Sequence, residues 1–333
     1  MSNRKVALTG IKPTGVPHLG NYLGMIRPAL DLVRDYDAYY FIADMHALTT
    51  VHDAEQLREQ TYDIAATMLA LGLDPEKVVF YRQSDVPQTY ELDWLLSCVT
   101  PKGLLNRAHA YKAAVDENEA AGRTPDDGVS MGLFSYPVLM AADILVVDAH
   151  VVPVGSDQKQ HVEMARDMAE AFNRTYGDVL VPPEPLIDDS VATISGLDGR
   201  KMSKNYENVI PIFAEPKAQR KLVMKIVTDS RPPEEPKDPE TDNLFRIFEH
   251  FGSGDDVETV RRRYLEGGIG YGEVKDQLAT ALGDHFEEPL ARYKELMSNR
   301  SRIDDVLAEG ARRAGTVAQD VLSRARRAVG LDR

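Results

Sequence analysis

Three short runs of β-branched and aromatic residues, separated by longer stretches with helical spacing, constrain this chain more than any other feature. Residues 5–9, 39–43 and 78–82 read as buried strands. Between the second and third, residues 54–71 place Ile64, Ala65, Met68 and Leu69 on one helical stripe, which stops at Gly72. Strands alternating with helices argue for a parallel sheet with crossover helices, and such sheets bind ligands beyond the carboxyl ends of their strands. From about Pro87 helices dominate. Residues 90–99 form one, a polar loop occupies 116–128, and the Val-rich stretch 144–154 returns the chain to the sheet. Residues 157–172 carry Val162, Ala165, Met168, Ala169 and Phe172 on one stripe, with Ser156 as the expected N-cap. Beyond Pro211 strand signals nearly vanish, and after the stiff RPPEEPKD loop at 231–238 the rest reads as helix–turn–helix. An α/β unit followed by an all-helical one is expected, with the change of character near residues 206–212.

With 333 residues the chain exceeds one ordinary domain, and 43% hydrophobic with 28% charged residues is a soluble, folding composition. No apolar run approaches the roughly 20 residues of a membrane span, and none follows the opening MSNRK. A single cysteine, Cys98, excludes an internal disulfide, a cysteine-rich zinc site and a cysteine-held iron–sulfur cluster, so a reducing cytoplasm is the expected location. The formal charge of −14 is the wrong sign for a protein that coats nucleic acid non-specifically. Two local basic clusters stand out: Lys217, Arg220, Lys221 and Lys225, and Arg312, Arg313, Arg324, Arg326 and Arg327. They read either as a docking surface for a structured RNA or, more simply, as solvated helix faces balancing nearby acid.

Two motifs carry chemistry. The first strand runs into Gly10-Ile-Lys-Pro-Thr-Gly15, then His18-Leu-Gly-Asn21, then a helical pattern from Tyr22. A strand, a Gly/Pro turn and a helix start present free N–H groups to an anion, and Gly20 permits close approach of a nucleotide. A glycine-rich turn with a capping Asn has the same look. The spacing is neither that of a G-x-G-x-x-G dinucleotide turn nor that of a P-loop. The second motif is Lys201-Met-Ser-Lys-Asn205, preceded by Ser195-Gly-Leu-Asp-Gly199. Two lysines on a loop with glycine before it could swing over a polyphosphate; one such pair by itself is also an ordinary surface loop.

Together the two motifs resemble the paired signatures of class I aminoacyl-tRNA synthetases. Further segments are similar to the tryptophanyl branch, in order and at similar spacing: Ile42-Ala-Asp-Met-His-Ala-Leu-Thr49, Tyr136-Pro-Val-Leu-Met-Ala-Ala-Asp143, Val152-Pro-Val-Gly-Ser-Asp-Gln-Lys-Gln-His161 and Gly268-Ile-Gly-Tyr-Gly-Glu273. The resemblance covers essentially the whole chain, and a tyrosyl relative would differ in the D-Q-K-Q-H segment. It implies a Rossmann-like catalytic domain over residues 1–208, with a helical insertion at about 87–140 near a dimer interface, and a helical anticodon-binding domain over 209–333. The implied reaction joins L-tryptophan and ATP into tryptophanyl-adenylate and pyrophosphate, then transfers tryptophan to the 3′ end of tRNA(Trp). No protein nucleophile is needed, so catalysis should come from positioning and charge stabilisation. The implied partners are L-tryptophan, ATP with Mg²⁺, tRNA(Trp) and a second copy of the chain, with no membrane, no zinc and no protein-built metal site.

Carried over residue by residue, the resemblance gives His18, Asn21, Lys201 and Lys204 catalytic roles. Lys12, Pro13, Thr14, Gly20, Asn21, Gly155, Ser156, Asp157, Ile194, Lys201, Met202, Ser203, Lys204 and Asn205 would line the ATP site. Asp143, Tyr136, Met140, Gln158, His46, Val152 and Leu8 would form the tryptophan pocket. One point has independent physical support. If residues 136–145 are helical, with Pro137 in the first turn, Tyr136, Met140 and Asp143 share a face. A buried carboxylate there needs a donor, either an indole N–H or an Arg or Lys at the helix end. Departures from the family pattern are Lys12 where Gln is common, His-Leu-Gly-Asn for the first signature, Asn205 for the last Ser of the second, and Leu8 where an aromatic is common. Lys112, in a basic helix with Arg107 and His109, matches poorly. In the distal half, Tyr264, Tyr271 and Phe248 could stack on tRNA bases or simply fill the helical core. A tRNA-independent nucleotidyltransferase and a non-catalytic synthetase-like binding protein are the competing classes.

Overall fold

The structure, a computed structural model, describes residues 4–13, 15, 17–155, 158–187 and 194–332. Its first half is a parallel sheet of β1 (Val6–Ile11), β2 (Asp37–Ile42), β3 (Val79–Arg82), β4 (Val151–Pro153) and β5 (Glu184–Leu186) in the order β3-β2-β1-β4-β5. Register is set along β1, where Ala7 pairs with Ala38 on one side and with Val151 on the other. The chain winds outward from β1 to β3, then returns to place β4 on the opposite flank. The switch point lies between β1 and β4, and sheets of this kind take ligands beyond the carboxyl ends of their strands at such a point.

Helices cover both faces. Those of the first half are α1 (Leu19–Asn21), α2 (Arg27–Asp31), α3 (Asp44–Ala47), α4 (Ala54–Ala70), α5 (Gln88–Ser97), α6 (Lys102–Leu105), α7 (His109–Ala120), α8 (Met131–Leu145) and α9 (Lys159–Tyr176). The side-chain period of two along β2 sends Tyr40 and Ile42 into one buried cluster and Phe41 into another. Helix α4 behaves as its pattern predicts: Asp53 caps its N-terminus, and Gly72 follows with φ 103°, a left-handed value glycine adopts without penalty.

The second half is α10 (Pro216–Val223), α11 (Asn243–Phe248), α12 (Gly254–Glu266), α13 (Tyr271–Ser298) and α14 (Arg300–Val329). These helices are packed onto the sheet unit itself. Leu278, Leu282, Phe286, Ile303 and Leu307 join the cluster that holds Tyr40, whereas Ala314, Ala318, Val321 and Leu322 join the one that holds Phe41. Helix α14 thus spans the β3 edge. A Cβ at Gly310 would come 1.8 Å from the Phe80 carbonyl oxygen, and Arg313 Nη1 donates to the carbonyls of Pro75 (3.0 Å) and Val78 (2.8 Å).

Several local expectations need correction. Helix α8 begins at Met131, capped by Ser130, so Pro137 lies in its interior rather than its first turn; the preceding MGLF is helix-competent once Ser130 satisfies the Leu133 amide. Consequently Ile144 and Leu145 finish a helix, and only Val151–Pro153 of the Val-rich stretch is strand. Helix α7 absorbs the start of the polar segment, through Ala120. Helix α9 begins at Lys159 with Gln158 at its cap; Ser156, expected there, lies outside the described residues. The helical run after the first motif begins at Leu19, passes through a π-helical turn at Tyr22–Ile26 and continues into α2.

Candidate active site

The first motif is locked by its own side chains. His18 caps α1: its Nδ1 accepts the Asn21 amide at 3.3 Å, while Asn21 Oδ1 accepts the His18 amide at 3.1 Å. Because Nδ1 is an acceptor, the ring proton sits on Nε2. Burial, and then the charge of Lys204, depress the His18 pKa to about 4, so the imidazole is neutral at physiological pH. Pro13 is buried beside it, and Thr14 lies outside the described residues.

The second motif folds back onto the first across 182 residues of sequence, the Gly20 amide donating to Met202 Sδ at 3.3 Å. Two backbone bonds extend the junction: Leu19 N to Ile210 O at 2.9 Å and Ile212 N to Pro17 O at 3.1 Å. Glycine lets the two motifs approach closely. A Cβ on Gly20 would lie 3.1 Å from the His18 ring and 3.3 Å from Met202 Cβ, and one on Gly15 would lie 3.0 Å from Lys204 Nζ. The structure therefore brings His18, Gly20, Met202 and Lys204 to one mouth. Burial lowers the Lys204 pKa, an effect Asp63 opposes. Lys201 is exposed and bridges Ser195, while the buried Ile194 accepts the Met202 amide at 2.9 Å. Asn205 is exposed in the 3₁₀ turn Lys204–Tyr206.

Asn208, which sequence reasoning passed over, organises this loop. Buried to 2% exposure, it donates through Nδ2 to Asp198 Oδ1 (2.6 Å) and Lys201 O (3.2 Å) and accepts the Ser203 amide at 2.8 Å. Gly196 makes room for it, because a Cβ there would come 2.4 Å from the Asn208 amide group.

The carboxylate on α8 has partners that neither reading anticipated. Asp143, 2% exposed, accepts His46 Nε2 at Oδ2 (2.9 Å) and Gln83 Nε2 at both oxygens (2.9 Å each). Among the described residues no Arg or Lys pairs with it. Burial pushes its pKa up, while His46 and Gln83 pull it back. Asp93, nearby on α5, is raised to about 6 by burial and by the charge of Asp143. Tyr136 is paired through its hydroxyl with His161 Nε2 at 2.6 Å and meets the His46 ring edge-on at 6.3 Å. Met140 packs at the margin of the Phe41 cluster, in which Leu8 and Val152 are buried. Gly155, exposed, accepts the Gln158 amide at 2.9 Å; Gln158 is itself exposed, and Asp157 lies outside the described residues.

A line of hydrogen bonds joins the two ends of the site. Lys12 Nζ donates to Thr49 Oγ1 at 3.0 Å, and Thr49 Oγ1 donates to the His46 carbonyl at 2.8 Å. Burial lowers the Lys12 pKa. Among the described residues no group of three His, Cys, Asp or Glu is placed to hold a metal ion.

The distal surface is plainer. Phe248 and Tyr264 are fully buried, at 1% and 0% exposure, so they fill the helical core; the Tyr271 hydroxyl is engaged by Asp229 at 2.6 Å. Much of the basic cluster on α14 is spent within the chain, Arg324 on Asp148, Arg326 on Glu91 and Arg312 on Glu309. Arg220 of the other cluster pairs with Asp276. Lys112 is exposed on α7.

The chain is similar to known proteins over nearly its whole length. The family model of class I tRNA synthetases (W and Y) matches residues 2–287. A tryptophan–tRNA ligase of Pseudomonas aeruginosa is 52% identical over 329 residues, covering 97% of this chain and 73% of the relative. One from Rhodopirellula baltica is 50% identical over 324 residues, covering 97% and 99%. The crystal structure of tryptophanyl-tRNA synthetase from Campylobacter jejuni with ADP and tryptophan superimposes with a TM-score of 0.89 at 43% identity, covering 98% of this chain and all of that one. The chain belongs to the class I tRNA synthetases of the tryptophan and tyrosine branch.

Proposed function

We propose that the chain is a tryptophan–tRNA ligase that activates L-tryptophan with ATP and transfers it to tRNA(Trp). A carboxylate oxygen of tryptophan attacks the α-phosphorus, the bond to the β-phosphate oxygen breaks, and pyrophosphate leaves. A ribose hydroxyl of the terminal adenosine then takes the acyl group, and AMP departs. The observation that supports this reading is the junction of Gly20 with Met202, close to which His18 feels the charge of Lys204 and a Cβ on Gly15 would meet the Lys204 ammonium. Relatives at about half identity across nearly the whole chain carry that activity in their names.

In this reading neutral His18 donates from Nε2 to the phosphates, and Lys201 and Lys204 take up charge as pyrophosphate leaves. Lys12, Pro13, Thr14, Gly20 and Asn21 border the nucleotide on one side, with Gly155, Ser156, Asp157, Ile194, Met202, Ser203 and Asn205 on the other. Mg²⁺ arrives on the nucleotide; the donors around the mouth are cations and N–H groups, which suit the polyphosphate. Tyr136 and Gln158 meet the ammonium, Asp143 the indole N–H, and His46, Met140, Val152 and Leu8 wall the pocket. The helices beyond residue 209 read the anticodon. A second copy docks along residues 87–140, where Trp94 and Met131 stand 68% and 74% exposed. No helix of the described residues is long and apolar enough to cross a membrane.

Pyrophosphate exchange assayed with tryptophan, with tyrosine and with no amino acid tests the first step. Exchange with tyrosine alone would move the chain to the sister specificity. Absence of exchange would leave a binding protein. Charging of added tRNA tests the second step.

A further inference from the structure

Gln83 opens the 3₁₀ turn Gln83–Asp85 directly after β3 and is buried to 1% exposure. Its Oε1 faces two donors, the amides of Met45 (3.2 Å) and His46 (3.3 Å) at the start of α3. That fixes which end of the side-chain amide points where, since only an oxygen can accept both. Nε2 is consequently turned to Asp143, at 2.9 Å from each carboxylate oxygen. The Tyr90 hydroxyl donates to the backbone carbonyl of Gln83 at 3.1 Å, which anchors the main chain from which the side chain projects.

A carboxylate oxygen readily accepts two hydrogen bonds. Oδ2 of Asp143 already takes Gln83 and His46, whereas Oδ1 takes Gln83 alone. We propose that Gln83 is a specificity-determining positioning residue, which holds the Asp143 carboxylate so that its remaining acceptor direction, at Oδ1, receives the indole N–H. This inference rests on the reading of Asp143 given above and adds to it the group that aims it. Without Gln83 the carboxylate is left with His46 on one oxygen and is free to turn about its terminal torsion, which is broad and roughly two-fold.

The test compares tryptophan with its benzothiophene isostere, in which sulfur replaces the indole N–H, in pyrophosphate exchange. The parent is expected to prefer tryptophan strongly. Gln83→Met removes both hydrogen-bonding ends at similar size. Gln83→Glu keeps the acceptor for the Met45 and His46 amides but presents a carboxylate to Asp143. Each variant should cut the preference for tryptophan over the isostere about 10- to 100-fold, as expected for one buried hydrogen bond to a charged group, with the KM for ATP unchanged. A role limited to packing or to anchoring α3 would lower rates for both amino acids alike. A parent that shows no preference overturns the reading of Asp143 and this inference with it. A parent preference that both variants retain overturns the inference alone. If neither variant folds, a crystal structure of the parent with tryptophan decides. The indole nitrogen on Oδ1, with Gln83 still within about 3.2 Å of the carboxylate, supports the proposal. A Gln83 amide turned away from Asp143 overturns it.

Discussion

Replacing Asp143 with alanine removes the one buried acceptor shared by His46 and Gln83 and leaves two donors without a partner. Stability should drop by about 1–3 kcal/mol, and tryptophan activation should fall far more than ATP binding, which equilibrium unfolding and separate KM values would register. Selectivity against phenylalanine should be milder than for a carboxylate wholly without donors, because Asp143 keeps two hydrogen-bonding partners in an empty pocket. His18 yields a pH prediction. Its pKa is about 4 in the folded chain against 6.5 unfolded, so between those values the unfolded chain binds more protons. The stability that neutral His18 contributes is complete above pH 6.5 and is lost as pH falls toward 4. Denaturant titrations across that window should show a shallower slope in His18→Asn than in the parent. A slope that does not change would mean His18 is already solvated.

At the scale of elements, the loop from Ser195 to Asn208 acts as one clasp against α1. Asn208→Ala should loosen it, raising the KM for ATP roughly 3- to 10-fold with the KM for tryptophan unmoved, as the loss of one or two neutral hydrogen bonds implies. Faster proteolysis between residues 199 and 206 would be the structural readout. β1 to β3 and α4 were legible in the sequence because β-branched runs and a helical stripe are local signals; β5, the three-residue Glu184–Leu186, carries no such run and was not. The two signature motifs were legible as chemistry for the same reason. Asn208 and Gln83 were not. An Asn after a loop and a Gln after a strand have no periodicity, and their roles arise from contacts with Asp198, Ser203 and the distant Asp143 that only the fold creates. Pro137 misled in the opposite direction: read as a helix start, it sits mid-helix because Ser130 caps the turn ahead of it.

For the molecule as a whole, the helical half and the sheet half share their cores, so the last helix should be indispensable to the first strands. Gly310→Leu forces side-chain atoms against the Phe80 carbonyl, where even a Cβ would stand 1.8 Å away. A loss of about 1–3 kcal/mol or more is expected in chemical unfolding, in one transition that includes the sheet. A separate, unshifted transition for the sheet half would contradict that. The acidic whole, with much of its α14 arginine cluster engaged in internal pairs, should bind unrelated RNA weakly and lose that binding early as salt rises. The way α14 closes over β3 also has a consequence in the order of synthesis. Arg313 meets the Val78 carbonyl across 235 positions, so a ribosome has delivered all five strands and most of the helices well before the outer edge of the sheet can be covered. Until then the outer edge of β3 is uncovered, and an uncovered strand edge is a template that can recruit another strand.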